Sequence, residues 1–366
     1  MPTLISILRD VADPRRGNAQ RHELLDILVI ALVASVCGAE SCVDFAEFAV
    51  DREPLLREFL ILENGLPSHD TFSRVFRLLD PQAFGQAFGA FLAELGAEGA
   101  GVLAIDGKTL RRSFDPAAGR SALHVVTAFG QRRGSASGNG RWRRRERDHG
   151  GPRAARHPGA RWRAGHRRCH PRPGRYGAAG AGPGRDYLFA LKANRPAMLA
   201  EVAAFFADPP EALAAHTTTE ADHGRIETRH HRVTHCVDWI FGDRAEPGAP
   251  AMPGLATLAC VIATRDGGPP STRYYLSSAR LAPQAFAAAV RAHWAIENSL
   301  HWVLDVTFDE DRARNRADNG PENLAILRRL ALNILNTALP EMPVSRKRKR
   351  AGWSDNFARS IIGQMR

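Results

Sequence analysis

Asp106 is the first residue in the sequence that invites a chemical reading. It closes the apolar run Val102–Ile105 and precedes Gly107-Lys108-Thr109. Such a run reads as a short buried strand ending at a turn. A carboxylate fixed by a sheet, with an open loop beyond it, is well placed to bind a hard cation. Two other readings compete. The Gly-Lys-Thr ending also closes phosphate-binding loops of the pattern G-x-x-x-x-G-K-[ST]. Here five residues, Val102 to Asp106, separate Gly101 from Gly107, one too many, and Val102 holds the place of the first glycine. That spacing disfavours a nucleotide hydrolase. An Asp that merely caps a turn is the third reading.

Glu297 is the second such residue. On a helix, His293, Glu297, His301 and Asp305 recur every four residues and share one face. Trp294, Leu300 and Leu304 crowd an adjoining face. One carboxylate among imidazoles can serve a metal, a phosphate backbone or neither. The pattern HxxxExxxH is a weak zinc signal, and a solvated polar face fits it equally well. Beyond it, VTFDEDRARNR (306–316) reads as a surface loop, and Arg346–Arg350 (RKRKR) as a solvated tail. That tail, or Arg225, Arg229 and Arg232 on a predicted strand, could contact phosphates, with affinity then falling as salt rises.

The elements that must position these residues follow from periodicity. Residues 4–95 show apolar positions at three- and four-residue spacing and predict a helical domain over 1–97, with Ser68 or Asp70 capping its third helix. Residues 98–101 are a plausible joint. Strands are expected at 102–105, 121–129, 187–192, 223–234, 255–263 and 273–278, and helices at about 283–305 and 321–339, with Pro321 in the first turn. Strands mixed with helices predict an α/β domain over 98–340, followed by a basic tail over 341–366. Leu24–Gly38 is apolar, but it is short for a membrane span of about 20 residues and contains Asp26, so it reads as a buried core helix. Five cysteines with no CxxC pair suggest reduced thiols in a cytosol.

The chain has 366 residues and a formal charge of +11. A basic protein of this size suggests a nucleic-acid partner. The charge is nevertheless local. Residues 131–185 hold 16 Arg, no Lys and two acids, a balance of 16 − 2 = +14, so the rest of the chain sums to 11 − 14 = −3. This segment contains no Ile, Leu, Val, Met or Phe, and it has 12 Gly and five Pro. Such a composition cannot offset chain entropy by burial, which predicts disorder. Two origins fit: an Arg/Gly-rich nucleic-acid linker, or coding DNA translated out of frame. The genetic code permits the second. Read one nucleotide later, ERDH (146–149) permits Asn-Glu-Ile-Thr, and GHRRC (165–169) permits Val-Thr-Ala-Asp-Ala. PRAARHPGA (152–160) and RYGAAGA (175–181) permit Leu-rich helical stretches. A helix–strand–helix order then fills the gap that an α/β domain would need.

Five stretches, in order, resemble DDE-type insertion-sequence transposases in the branch of H-repeat-associated proteins. They are AIDGKTLRRS (104–113), DYLFALKANRP (186–196), HGRIETRHHRVT (223–234), HWAIENSLHWVLDVTFDED (293–311) and PENLAILRRLALNIL (321–335). LLDILVIALVASVCGAESCVDFAEFA (24–49) and LPSHDTFSRVF (66–76) resemble that branch's helical associated domain. The resemblance implies an α/β, ribonuclease-H-like catalytic core with a strand-rich insertion, in which two Asp and one Glu bind two Mg2+ ions. By motif, Asp106 is the first carboxylate and Glu297 the third. The second belongs to a Val-Thr-x-Asp-Ala stretch before DYLFALK, where this chain has GHRRCH (165–170); the Asp is expected near Arg168 and is absent. A shifted frame restores it, and ERDH falls where the family has Lys-Ser-Asn-Glu-Ile. His293 stands where Arg is usual in the wider superfamily, while Trp294, Ile296 and Glu297 fit this branch. The resemblance further implies transposon-end and target DNA as partners, contacted by Lys108, Arg111, Lys192, Arg225, Arg229, His293 and His301. It implies a homodimer in a synaptic complex and a cytoplasmic, nucleoid-associated location without membrane contact. With the second Asp lost, the expected enzyme is inactive as written. A non-catalytic DNA-binding protein and a metal-dependent nuclease remain as alternatives.

Overall fold

The computed structural model describes residues 4–94, 102–110, 112–115, 119, 121–130, 135–142, 162–166, 186–193, 195–222, 224–241, 252, 254–339 and 341–363. Six helices come first: α1 Leu4–Arg9, α2 Leu24–Cys37, α3 Cys42–Asp51, α4 Glu53–Leu56, α5 His69–Leu78 and α6 Pro81–Glu94. Strands β1 Val102–Thr109, β2 His124–Gly130, β3 Ser135–Trp142, β4 Trp162–His166 and β5 Asp186–Leu191 follow. After α7 Pro196–Ala207 come β6 Ala214–Asp222, β7 Arg225–Thr234, β8 Thr257–Arg265 and β9 Ser271–Ser277. The last helices are α8 Pro283–Ile296, α9 Trp302–Val306, α10 Gly320–Thr337, α11 Val344–Trp353 and α12 Asp355–Ile362. No single described helix is long and apolar enough to cross a membrane. The four described cysteines, Cys37, Cys42, Cys236 and Cys260, are free.

The residues form two compact units, one of 1–99, 108–155 and 297–366, the other of 100–107 and 156–296. They do not follow the expected domain boundaries. The reason lies in α2. Its sequence LLDILVIALVASVC is apolar all round, so it must be covered on every side. Residues Ile27 to Val36 are all buried, against α1, α3, α10 and α11. The N-terminal helices therefore share a core with the C-terminal ones. α3 starts in a capping box, with the Ser41 hydroxyl accepting from the Asp44 amide and the Asp44 carboxylate accepting from the Ser41 amide. Ser68 precedes α5 at the capping position; its hydroxyl meets the Thr71 hydroxyl at 3.3 Å rather than a backbone amide of the first turn. Asn323 of α10 donates to the Phe76 and Leu79 carbonyls at 2.8 and 2.9 Å, which satisfies the end of α5. Leu110, Leu123 and Val125 pack on Ala325 of α10 beside the β2–β3 hairpin.

The basic tail is solvated only in part. It folds as α11 and α12, and while Arg346, Lys349 and Arg350 stay exposed, Lys347 and Arg348 point inward, 2% and 5% exposed. Lys347 donates from Nζ to the Leu335 carbonyl at 2.6 Å. The Arg348 guanidinium donates to the Ser35 carbonyl at 3.0 Å, to Ala39 at 2.9 Å and to Thr307, and it lies over the Phe308 ring. Carbonyls at the end of α2 have no partner within the helix, and a cation there both caps them and opposes the dipole.

In the second unit, β1 pairs in parallel with β4, and β4 with β5. From β5 onward the order β5-β9-β8-β7-β6 is antiparallel. Alternation along β8 sends Ala259 and Val261 to one face, under Phe286 and Val290 of α8, and Leu258 and Cys260 to the other, with Val202 and Phe206 of α7. An α/β architecture is thus present. Strand β6 and helix α7 were not legible as elements. Of residues 131–185, Ser135–Trp142 and Trp162–His166 are strands rather than disordered, since a ladder is made by backbone and needs no apolar side chains. The rest of that segment, and the expected joint at 98–101, lie outside the described residues.

Candidate metal centre

Asp106 is the fifth residue of β1 and is buried, 6% exposed. The strand does not end at it, as expected, but continues to Thr109. What ends there is the parallel ladder: the last described pair between β1 and β4 is Asp106 with His166. Arg168, where a second Asp is expected, follows His166 by two residues in the chain and, like Arg111, lies outside the described residues.

Glu297 follows α8 directly, at the first position of a π-helical turn, Glu297–His301. Such turns carry an extra residue and recur at functional sites. The expected single helix over 283–305 is interrupted here. The turn keeps His301 beside Glu297, with Nδ1 3.7 Å from Oε2. Glu297 remains partly open to solvent while His301 is buried. His293 is also buried, and Trp294 carries Arg273 over its ring at 4.7 Å. The two histidines expected on a DNA-contacting face are therefore interior, because α8 and the turn are packed rather than solvated.

Lys108 also differs from expectation. Strand side chains alternate, so Lys108 shares a face of β1 with Asp106. It turns inward, where its ammonium pairs with Asp305, with Glu310 at 3.1 Å and with Asp311 at 3.6 Å. Glu310 lies in the stretch expected to be a surface loop, yet its side chain is 0% exposed and it also meets the equally buried Arg329 guanidinium at 3.0 Å. Asp309, just before it, is held at φ 50, a left-handed conformation that the surrounding contacts must support. Burial pushes the Glu310 carboxyl up, but Arg329 and Lys108 outweigh it, and the group titrates at about 2. Asp305 moves the other way, raised chiefly by burial. No spacing rule marks Glu310. The only hint was an acid triplet, Asp309–Asp311, followed by arginines.

The remaining expected contacts lie on the second unit. Arg225 is exposed at the start of β7, and Lys192 follows β5. Arg229 is engaged within the sheet, pairing with Glu220 at 2.8 Å and Glu227 at 2.5 Å, and Glu220 also holds Arg291 at 2.6 Å. Arg232 donates to the Phe206 carbonyl at 3.0 Å. These arginines stitch the sheet, which lowers the free charge they offer a phosphate.

Comparison with known proteins adds three findings. Residues 5–92 match the DDE_Tnp_1-associated family, and residues 178–334 match the transposase DDE domain family. The chain is 30% identical over 361 residues to the putative protein YbfL of Escherichia coli, covering 96% of this chain and 95% of that one. It has the same identity and coverage with the H repeat-associated putative transposase YhhI of Escherichia coli. An uncharacterized protein in the dhlA 3′ region of Xanthobacter autotrophicus is 37% identical over 280 residues, 70% of this chain and 86% of that one. Among solved structures, a piggyBac transposase synaptic complex with hairpin DNA aligns with TM-score 0.39 and 12% identity, over 98% of this chain and 76% of that chain.

Proposed function

The chain belongs to the H repeat-associated family of DDE-type transposases, and from that membership we propose an insertion-sequence protein built for metal-dependent cleavage and strand transfer of transposon-end DNA, but inactive as its sequence stands. Asp106 and Glu297 are the first and third carboxylates of its catalytic set, in a ribonuclease-H-like core. The second carboxylate is lost in a stretch translated out of frame.

One observation carries this reading. β4 lies in parallel register beside β1, and its last pair sets His166 opposite Asp106. GHRRC (165–169), whose shifted frame permits Val-Thr-Ala-Asp-Ala, therefore begins beside the first carboxylate. A strand in this register is where a second aspartate would join the first. The other supports are local. α8, which ends at Ile296 next to Glu297, packs on β4 and β7 within the same unit as Asp106. The match to the DDE domain begins only at residue 178, near the end of the Arg-rich segment.

The donor chemistry fits hard divalent cations: carboxylate oxygens, one on a strand and one on a helical turn. When bound, a pair of such ions supplies charge stabilisation for the attacking and leaving oxygens of an in-line displacement at phosphorus. The chain's own residues do the holding. Sheet and helix fix the carboxylates, and His301 restrains Glu297. In the sequence, an arginine pair at 167–168 stands where the family's second aspartate is expected, so a metal-ligating charge is replaced by charges that repel a cation. Within this reading, Arg225 and Lys192 approach the DNA backbone, a second copy of the chain completes the synaptic complex, and the protein acts at the bacterial nucleoid.

Calorimetry tests the metal half. The chain as it stands should bind Mg2+ or Mn2+ weakly or not at all, and a version with residues 131–185 read in the shifted frame should bind tightly, with the binding lost on Asp106→Asn. Equal affinity in both versions would end the claim that the segment carries the missing ligand.

A further inference from the structure

Three carboxylates meet one ammonium in the first unit. Lys108 Nζ reaches Asp305, Glu310 at 3.1 Å and Asp311 at 3.6 Å. The Lys108 side chain is only 10% exposed, while Asp305 and Asp311 are open by about a third, 32% and 35%. Arg329 adds a second cation from the far side of Glu310. Buried Arg328 also acts on Glu310 through its charge, so Lys108 is the cation that all three carboxylates share. Without the ammonium, three carboxylates would surround a space suited to an oxygen-liganded divalent ion, with one side open to water.

We propose that Lys108 is a positioning residue that acts as a built-in cation: its ammonium occupies what would otherwise be a divalent-ion site formed by Asp305, Glu310 and Asp311. One consequence follows from its place in the chain. Lys108 lies at the end of β1, so the clamp fixes that end of the strand to the segment following Glu297. The left-handed Asp309 and the full burial of Glu310 show that the turn is built to deliver this acid inward.

The test counts ions on the full chain. Ca2+ is titrated calorimetrically into the unaltered protein, Lys108→Met and Lys108→Arg. Lys108→Met should bind one Ca2+ more than the unaltered chain, and adding Asp311→Asn should abolish that extra ion. Lys108→Arg, which keeps the charge, should bind none extra. Thermal denaturation gives the second reading: Lys108→Met should melt several degrees lower, and millimolar Ca2+ should restore most of the loss without moving the unaltered chain. A purely structural lysine would lower the melting temperature without creating an ion site. No extra Ca2+ in Lys108→Met overturns the proposal, as does failure of Ca2+ to recover a Lys108→Met chain that does not fold alone. Because the reading is a difference between variants and uses no DNA, it stands or falls separately from strand cleavage.

Discussion

Lys108 on β1 and Glu310 in the turn before α10 lie 3.1 Å apart, and the carboxylate that accepts this ion pair is wholly shielded from water. Because Glu310 titrates at about 2 when folded, against about 4.5 when free, its contribution to stability is present above pH 4.5 and is lost as pH falls toward 2. Removing its charge takes from the buried Arg329 its carboxylate partner and leaves Lys108 to Asp305 and Asp311 alone. Glu310→Gln should therefore cost about 3–5 kcal/mol at neutral pH. Urea denaturation at several pH values checks both points. The variant should also lose less stability than the unaltered chain between pH 4.5 and 2.

Arg348 carries the junction between α11 and the end of α2. Its guanidinium serves the Ser35, Ala39 and Thr307 carbonyls and pairs with Glu40 at 3.2 Å. Arg348→Met keeps much of the bulk but leaves buried acceptors unpaired. A loss of about 2–4 kcal/mol is expected in the same denaturation measurement.

Close packing at that junction leads to a third prediction. A Cβ on Gly352 would stand 2.5 Å from the Cys37 carbonyl oxygen, on backbone that cannot swing away. Gly352→Ala should destabilise by about 1–3 kcal/mol through forced separation of α2 and α11. Gly363, with nothing within 4 Å of its would-be Cβ, is the control. Gly363→Ala should be neutral or slightly stabilising in thermal melts.

How much of this was legible in the sequence depends on what kind of force sets each feature. α2 was legible because an all-apolar helix admits only burial, β8 because its apolar run marks a strand packed in a core, and β7 and β9 because their residues alternate as strands do. The strand that carries Asp106 was legible from its apolar run, and the helix leading to Glu297 from its periodicity. Strand β6, AAHTTTEAD, was not, because it is an edge strand held by the β7 ladder rather than by its own pattern. The inward turn of Lys347 and Arg348 was invisible, since a charge run looks the same whether its cations face water or helix-end carbonyls. Glu310 was missed for the same reason: only its tertiary partners distinguish a buried acid from a solvated one. The π turn at Glu297 is likewise set by packing on both sides of it, with no residue signature of its own.

The central claim is that a transposase framework retains two of its three carboxylates and has lost the third with its reading frame. It is tested most directly by a strand-nicking assay on the element's own end DNA with Mg2+. The chain as it stands should leave the DNA intact. A version carrying residues 131–185 in the shifted frame should nick it, and Asp106→Asn or Glu297→Gln should each silence that version. Robust Mg2+-dependent nicking by the unaltered chain would contradict the account.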